Sequence, residues 1–174
     1  MPMASQAEIE YRDFVTSNLD RLCRFAYLIC HDWQRAEDAV QKSLTKLYLH
    51  WNRIRSSSPH AYVRRIIVNT LYEERRRFWF KREHSRDELP DVVQPDHAES
   101  SASKLAMLES LARLPKRQRL VVVLRFWEDL SVEQTAEIMN CSTGTVKSQT
   151  ARGLQTLRGL LGKPIPTQVE GAQP

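Results

Sequence analysis

Residues 83 to 103 read EHSRDELPDVVQPDHAESSAS, and this stretch limits the fold of the 174-residue chain more than any apolar segment does. Six acids against one Arg, two prolines and four serines leave neither a strand period nor a helix period, so the segment reads as a flexible, acidic, solvated linker. Each flank is then a small domain with a limited core. The expected division is a domain over 9–82, the linker over 83–103, a second domain over 104–162 and a disordered tail over 163–174.

Charge follows the same division. Residues 1–63 carry eight Lys or Arg against seven acids, and 64–82 carry seven against two, or +1 and then +5. The linker is −5 (one against six), residues 104–162 return to +4 (nine against five), and the tail is neutral. The total of +5, with a pI near 9.3, favours an anionic partner. Cys23, Cys30 and Cys141 are odd in number and lack C-x-x-C spacing, so neither a disulfide framework nor a zinc site is expected. No stretch approaches the roughly 20 apolar residues that span a bilayer, which makes the expected location cytoplasmic, with no membrane partner.

Both domains read as helical, so the expected fold class is all-α. In FVTSNLDRLCRFAYLI, Phe14, Leu22, Phe25, Leu28 and Ile29 share one helical face, and Asp32 can cap the helix that follows. That next helix, WQRAEDAVQKSLTKLYLHWNRI, turns Val40, Leu44, Leu47 and Trp51 inward and leaves Glu37, Asp38, Gln41 and Lys42 on other faces. RSSSP interrupts, Pro59 suits a first turn, and a helix from about His60 carries Val63, Ile66, Ile67 and Leu71 inward. The β-branched runs Ile66–Val68 and Val121–Val123 favour strands locally, but their flanks are helical and lack turn signals.

In the second domain Leu105, Leu108, Leu111 and Ala112 form a short apolar face, and Pro115 starts another helix. Ser131 with Gln134 forms a capping box for a third helix that buries Thr135, Ala136 and Met139. NCS makes a tight joint, and the last helix begins near Thr143. At 100° per residue, Val146, Thr150, Leu154, Leu157 and Leu161 fall on one side. Thr145, Ser148 and Arg152 stand opposite, with Gln155 beyond them and Lys147 and Gln149 on the flanks. These side chains can hydrogen-bond base edges or phosphates, and an acid there would be repelled by a duplex. A tight pair of helices whose second member carries such a face fits the major groove. A merely solvated polar face is the plain alternative.

Between Tyr62 and Arg82, cations alternate with Tyr72, Phe78, Trp79 and Phe80. That mixture of backbone-tracking charge and stacking rings suits single-stranded nucleic acid. Ordinary core aromatics beside a basic helix end would give the same composition. A protein gripping both duplex and opened strand suits transcription initiation.

RAEDAVQKSLTKLY, PHAYVRRIIVNTLYEERRR and LPKRQRLVVVLRFWEDLSVEQTAEIMNCSTGTVKSQTARGLQTLR together resemble the successive signature segments of extracytoplasmic-function RNA polymerase sigma factors, especially the actinobacterial sigma-E-like type. The resemblance runs from about Phe14 to Leu161 and implies two helical domains, sigma regions 2 and 4, that bind core RNA polymerase and direct it to promoters. By the same resemblance, Glu37, Asp38 and Gln41 dock on the clamp of the polymerase's largest subunit, and the second domain meets the flap. Arg55, Ser56, Ser57, Ser58, Tyr62, Arg64, Arg65, Asn69 and Tyr72 match the segment that opens and reads the minus-10 element as single strand. Lys147, Ser148 and Arg152, flanked by Thr145 and Gln149, match the reader of double-stranded minus-35 DNA. The acidic linker resembles the segment that threads toward the RNA exit path, and an anti-sigma factor is a possible further partner.

The chain departs from the pattern at Lys42, where an acid is frequent, at Leu44, where Phe is, and at Tyr62-Val63, where Trp-Leu is. The resemblance implies no catalytic residue, metal or cofactor. Nor do the residues offer a Ser-His-Asp set, a metal-ligand pattern or a glycine-rich phosphate loop. A helix-turn-helix repressor or activator that is not a polymerase subunit remains the alternative, and it leaves the first domain unused.

Overall fold

The computed structural model describes residues 5–81 and 102–162, with side chains at all of these except 74–81. Every regular element among them is helical. The elements are α1 (Gln6–Cys30), α2 (Trp33–Leu49), α3 (Trp51–Ile54), α4 (Pro59–Lys81), α5 (Ala102–Arg113), α6 (Lys116–Val122), α7 (Val132–Met139) and α8 (Thr143–Leu161), with a π-helical turn, Val123–Trp127, continuing α6. They gather into two compact units, α1–α4 and α5–α8. Most of the expected linker and the tail over 163–174 lie outside the described residues, while Ala102 and Ser103, expected in the linker, open α5.

In the first unit α1 begins well before its apolar face. Ser5 caps it: Ser5 Oγ accepts from the Glu8 amide (3.3 Å), and Glu8 returns a carboxylate to the Ser5 amide (2.9 Å). The helix ends at His31, which takes the left-handed conformation (φ 53°). Asp32 then caps α2 through the Arg35 amide at 2.9 Å. Ala36 and Ala39, both fully buried, keep that side of α2 small, and α2 packs against both α1 and α4. Leu22, Phe25, Leu28, Val40, Leu47, Val63, Ile67 and Leu71 fill the space between, each contributing about 1.5–3 kcal/mol by leaving water.

Two expectations shift here. The long second helix breaks at His50 (φ −112°, ψ 7°), so Trp51 starts the separate turn α3 and packs edge-on to Tyr11, with ring centres 5.4 Å apart. On α4, Ile66 is only half-buried, while Val68 and Thr70 lie in the core. The helix turns its buried side toward α2, and Ile66 falls at the margin of that side.

In the second unit α6 and α8 cross at Gly153, where a Cβ would sit 3.0 Å from Val122 Cγ2 and 3.3 Å from the Gln118 carbonyl oxygen. Arg119 is the buried cation of this core. Its Nε donates to the Leu111 carbonyl (2.9 Å) and its Nη2 to those of Ala112 (2.6 Å) and Leu114 (3.1 Å), closing the C-terminal end of α5. Leu105, expected inward, is 38% exposed. Leu108 and Ala112 are half-buried and only Leu111 is fully inside, because α5 meets the unit mainly through its last turn. The π turn is closed by the Glu128 amide on the Val123 carbonyl (3.1 Å). It keeps Val123 and Leu124 buried and turns Phe126 and Trp127 out to 53% and 48% exposure.

The joint forms as the sequence expects. The Ser131–Gln134 capping box starts α7, with bonds of 2.9 and 3.1 Å. Asn140 in the left-handed region (φ 49°) ends it, and the Cys141 amide returns to the Ala136 carbonyl at 3.0 Å. Thr135 and Ala136 are buried and Met139 is half-buried. Ser142 then caps α8 through the Thr145 amide at 3.1 Å. The three cysteines are free thiols, all half-buried. No helix among the described residues is long and apolar enough to cross a membrane.

Candidate nucleic-acid and polymerase interfaces

α8 presents the sharpest surface. Val146, Gly153 and Leu157 bury one side of it. At 100° per residue Ser148, Arg152 and Gln155 stand on the opposite side, and all three are exposed. Lys147 is exposed on one flank. Thr145 and Gln149, on the other flank, are half-buried because that flank leans toward the rest of the unit. The Ser148 hydroxyl donates to the Thr145 carbonyl (3.0 Å), which leaves its oxygen free to accept from a base. Thr145 shares its hydroxyl with the Ser142 cap at 2.9 Å, so part of its capacity serves the helix start. No acid occurs in α8.

On α4 the buried Val63, Ile67, Thr70 and Leu71 mark one side. Tyr62, Arg65, Asn69 and Tyr72, spaced by three, four and three residues, form a single stripe on the other. Arg65 and Asn69 are exposed, and the two tyrosines at the ends are half-buried. Arg64 stands apart from this stripe, half-buried at the edge of the core. Arg55, Ser56, Ser57 and Ser58 form an exposed loop that leads into the first turn of α4. Its backbone is tied down by the Ser57 amide and hydroxyl on the Ile54 carbonyl (2.9 and 3.0 Å) and by Ser58 Oγ accepting from the Ala61 amide (3.4 Å). The side chains of Phe78, Trp79 and Phe80 lie outside the described residues.

Asp38, Gln41 and Lys42 face away from the core side of α2, with Glu37 nearer α1, and all four are exposed. Burial raises the Cys23 thiol, and the Glu37 and Asp20 carboxylates add to it, so α1 and α2 bring acids to one rim. Asp20 was not marked by the sequence reading, because its nearness to Glu37 depends on how α1 and α2 pack. The other unmarked contact joins Glu10 of α1 to Arg55, Nη1 to Oε2, at 2.8 Å.

These surfaces sit within matches to two known segments. Residues 14–81 match sigma-70 region 2, and residues 104–157 match sigma-70 region 4. The RNA polymerase sigma-E factor of Streptomyces avermitilis is 36% identical over 160 residues, covering 90% of this chain and 87% of that one. This chain belongs to the extracytoplasmic-function sigma factors. The sigma-E factor of Streptomyces coelicolor is 35% identical, covering 86% of this chain and 85% of its own length. The ECF sigma factor SigM of Mycobacterium tuberculosis is 30% identical, covering 82% and 72%. A solved structure of the sigma factor RpoE in complex with the anti-sigma factor NepR, from Bartonella quintana, superposes with a TM-score of 0.73 at 25% identity, covering 87% of this chain and 96% of that one. As a sigma factor of this group the protein binds core RNA polymerase and promoter DNA and directs transcription initiation.

Proposed function

We propose that this sigma factor divides promoter recognition between its two outward helix faces. On α8, Arg152 and Ser148 read bases of the minus-35 element in the major groove, Lys147 and Gln149 meet its phosphates, and Thr145 supports the helix start beside them. The loop Arg55–Ser58 with Tyr62, Arg64, Arg65, Asn69 and Tyr72 opens and holds the minus-10 strand. Glu37, Asp38 and Gln41 dock on the polymerase clamp. The flap meets the second unit, where Phe126 and Trp127 offer exposed apolar surface. The two domains correspond to α1–α4 and α5–α8, joined by the acidic linker. The protein works in the cytoplasm and supplies recognition rather than catalysis. An anti-sigma partner is supported by the relative solved with one.

The observation that carries this reading is that each unit turns cationic and hydrogen-bonding side chains directly away from its own core, on α4 and on α8. Arg65, Asn69, Ser148 and Arg152 are all exposed, so they contribute little to stability there and stand where DNA can reach them. Run-off transcription with core polymerase on genomic promoters tests it. Defined transcripts that require this protein are expected. Binding to the same DNA with no polymerase-dependent transcript would make it a repressor or activator instead.

A further inference from the structure

Arg55 is the only cation in the RSSS loop, and the structure pairs it with an acid 45 residues away. Its Nη1 lies 2.8 Å from Glu10 Oε2, each side chain 39% exposed, and Gln6 Nε2 donates to the other carboxylate oxygen at 3.3 Å. The Arg55 and Gln6 hydrogen bonds hold the Glu10 carboxyl below the usual carboxylate range, so it is ionised at neutral pH. An ion pair this exposed adds at most modest stability. Its placement is nonetheless well fixed. The Tyr11 hydroxyl donates to the Leu44 carbonyl (2.9 Å), and the Tyr11 ring packs on Trp51 (5.4 Å), just before the loop. Phe14 packs on Trp51 (5.5 Å) and on His60 (4.9 Å), just after the loop. Aromatic contacts thus fasten the start of α1 to both ends of the loop, and Glu10 is presented to Arg55 from a fixed element.

We infer that Glu10 restrains strand capture: it keeps the Arg55 guanidinium on the protein, so that DNA phosphates must displace a carboxylate to reach it. The inference rests on the reading of Arg55–Ser58 as the strand-opening loop. While the pair is closed it carries no net charge, and a single strand gains little by exchanging one charge-assisted partner of Arg55 for another. Glu10 therefore removes most of what Arg55 alone would contribute to holding a strand, and leaves capture to depend on Asn69, Arg65 and the two tyrosines.

The test uses the full chain and a fluorescent oligo-dT strand, with affinity read by anisotropy across a salt series. Glu10→Gln is expected to bind oligo-dT roughly threefold or more tightly at low salt and to steepen the log–log salt dependence by about 0.7, the value of one released counterion on a single strand. In an Arg55→Gln background the same substitution should change nothing, since the two residues act through one contact. Equal or weaker binding by Glu10→Gln overturns the inference, as does a gain that persists without Arg55. Arg55→Gln in the holoenzyme separates the two levels. If it leaves promoter melting intact, the loop assignment fails and takes this inference with it. If it impairs melting while Glu10→Gln binds oligo-dT no more tightly, only the role of Glu10 fails.

Discussion

Arg119 shows how much a single side chain does in a core this small. Its guanidinium satisfies three carbonyls at the end of α5 from a position only 8% exposed, and its charge complements the negative end of that helix. Replacing it by Met keeps much of the volume but leaves buried acceptors without their charged donor. Arg119→Met is expected to lower the stability of the second unit by about 2–4 kcal/mol, read from urea denaturation. Arg119→Lys should recover only part of this, because one ammonium lacks the planar fork that reaches all three oxygens. The sequence alone does not single out Arg119 from Lys116 and Arg117. Which cation turns inward depends on where the end of α5 comes to lie, and no local pattern records that. The Glu10–Arg55 pair escapes a sequence reading for the same reason, since 45 residues separate its members.

At the scale of elements, legibility follows how local the cause is. The starts of α2 and α7 were readable because Asp32 and Ser131 each act within three residues of themselves, and NCS marked the joint before α8, whose Ser142 cap the structure adds. The faces of α8 were readable because its apolar spacing holds from Val146 to Leu161, about four turns. The break at His50 was not, since it arises from Trp51 turning in against Tyr11 and Phe14 of another helix. The π turn was also hidden: its extra residue changes the register of Phe126 and Trp127 without any Gly or Pro to mark it. On α8 the proposed reading gives Arg152 and Lys147 two roles that composition alone would merge. Arg152, at the centre of the outward face, is expected to lose about 1–3 kcal/mol of promoter binding as Arg152→Ala, with little loss on a scrambled minus-35 element. Lys147→Ala, on the flank, should weaken both DNAs alike and reduce the salt slope by roughly one. Electrophoretic mobility shifts of holoenzyme on the two templates across a salt series distinguish these outcomes. Equal losses for Arg152→Ala on both templates would make it a phosphate contact.

For the whole molecule, the proposed division gives the two units separate tasks, so damage to one should leave the signature of the other. Asp38, exposed on α2 and facing away from the core, is expected to abolish holoenzyme assembly when reversed to Lys, while circular dichroism stays native. Co-purification of Asp38→Lys with core enzyme at the normal level would remove α2 from the docking surface. Asn69 tests the next stage. It is exposed in line with Tyr62, Arg65 and Tyr72, so packing does not occupy its amide, and its proposed partner is a strand base drawn from the duplex. Asn69→Ala holoenzyme is therefore expected to form the closed complex at normal affinity, because α8 and the minus-35 element are untouched. It should then yield several-fold less open complex on a duplex promoter. On a template mismatched across the minus-10 element the opening cost has already been met, so part of the defect should disappear. The part that persists measures contact with the captured base. Permanganate reactivity of the melted thymines on both templates reads the two components, and normal reactivity on the duplex promoter would return Asn69 to an ordinary solvent-facing position.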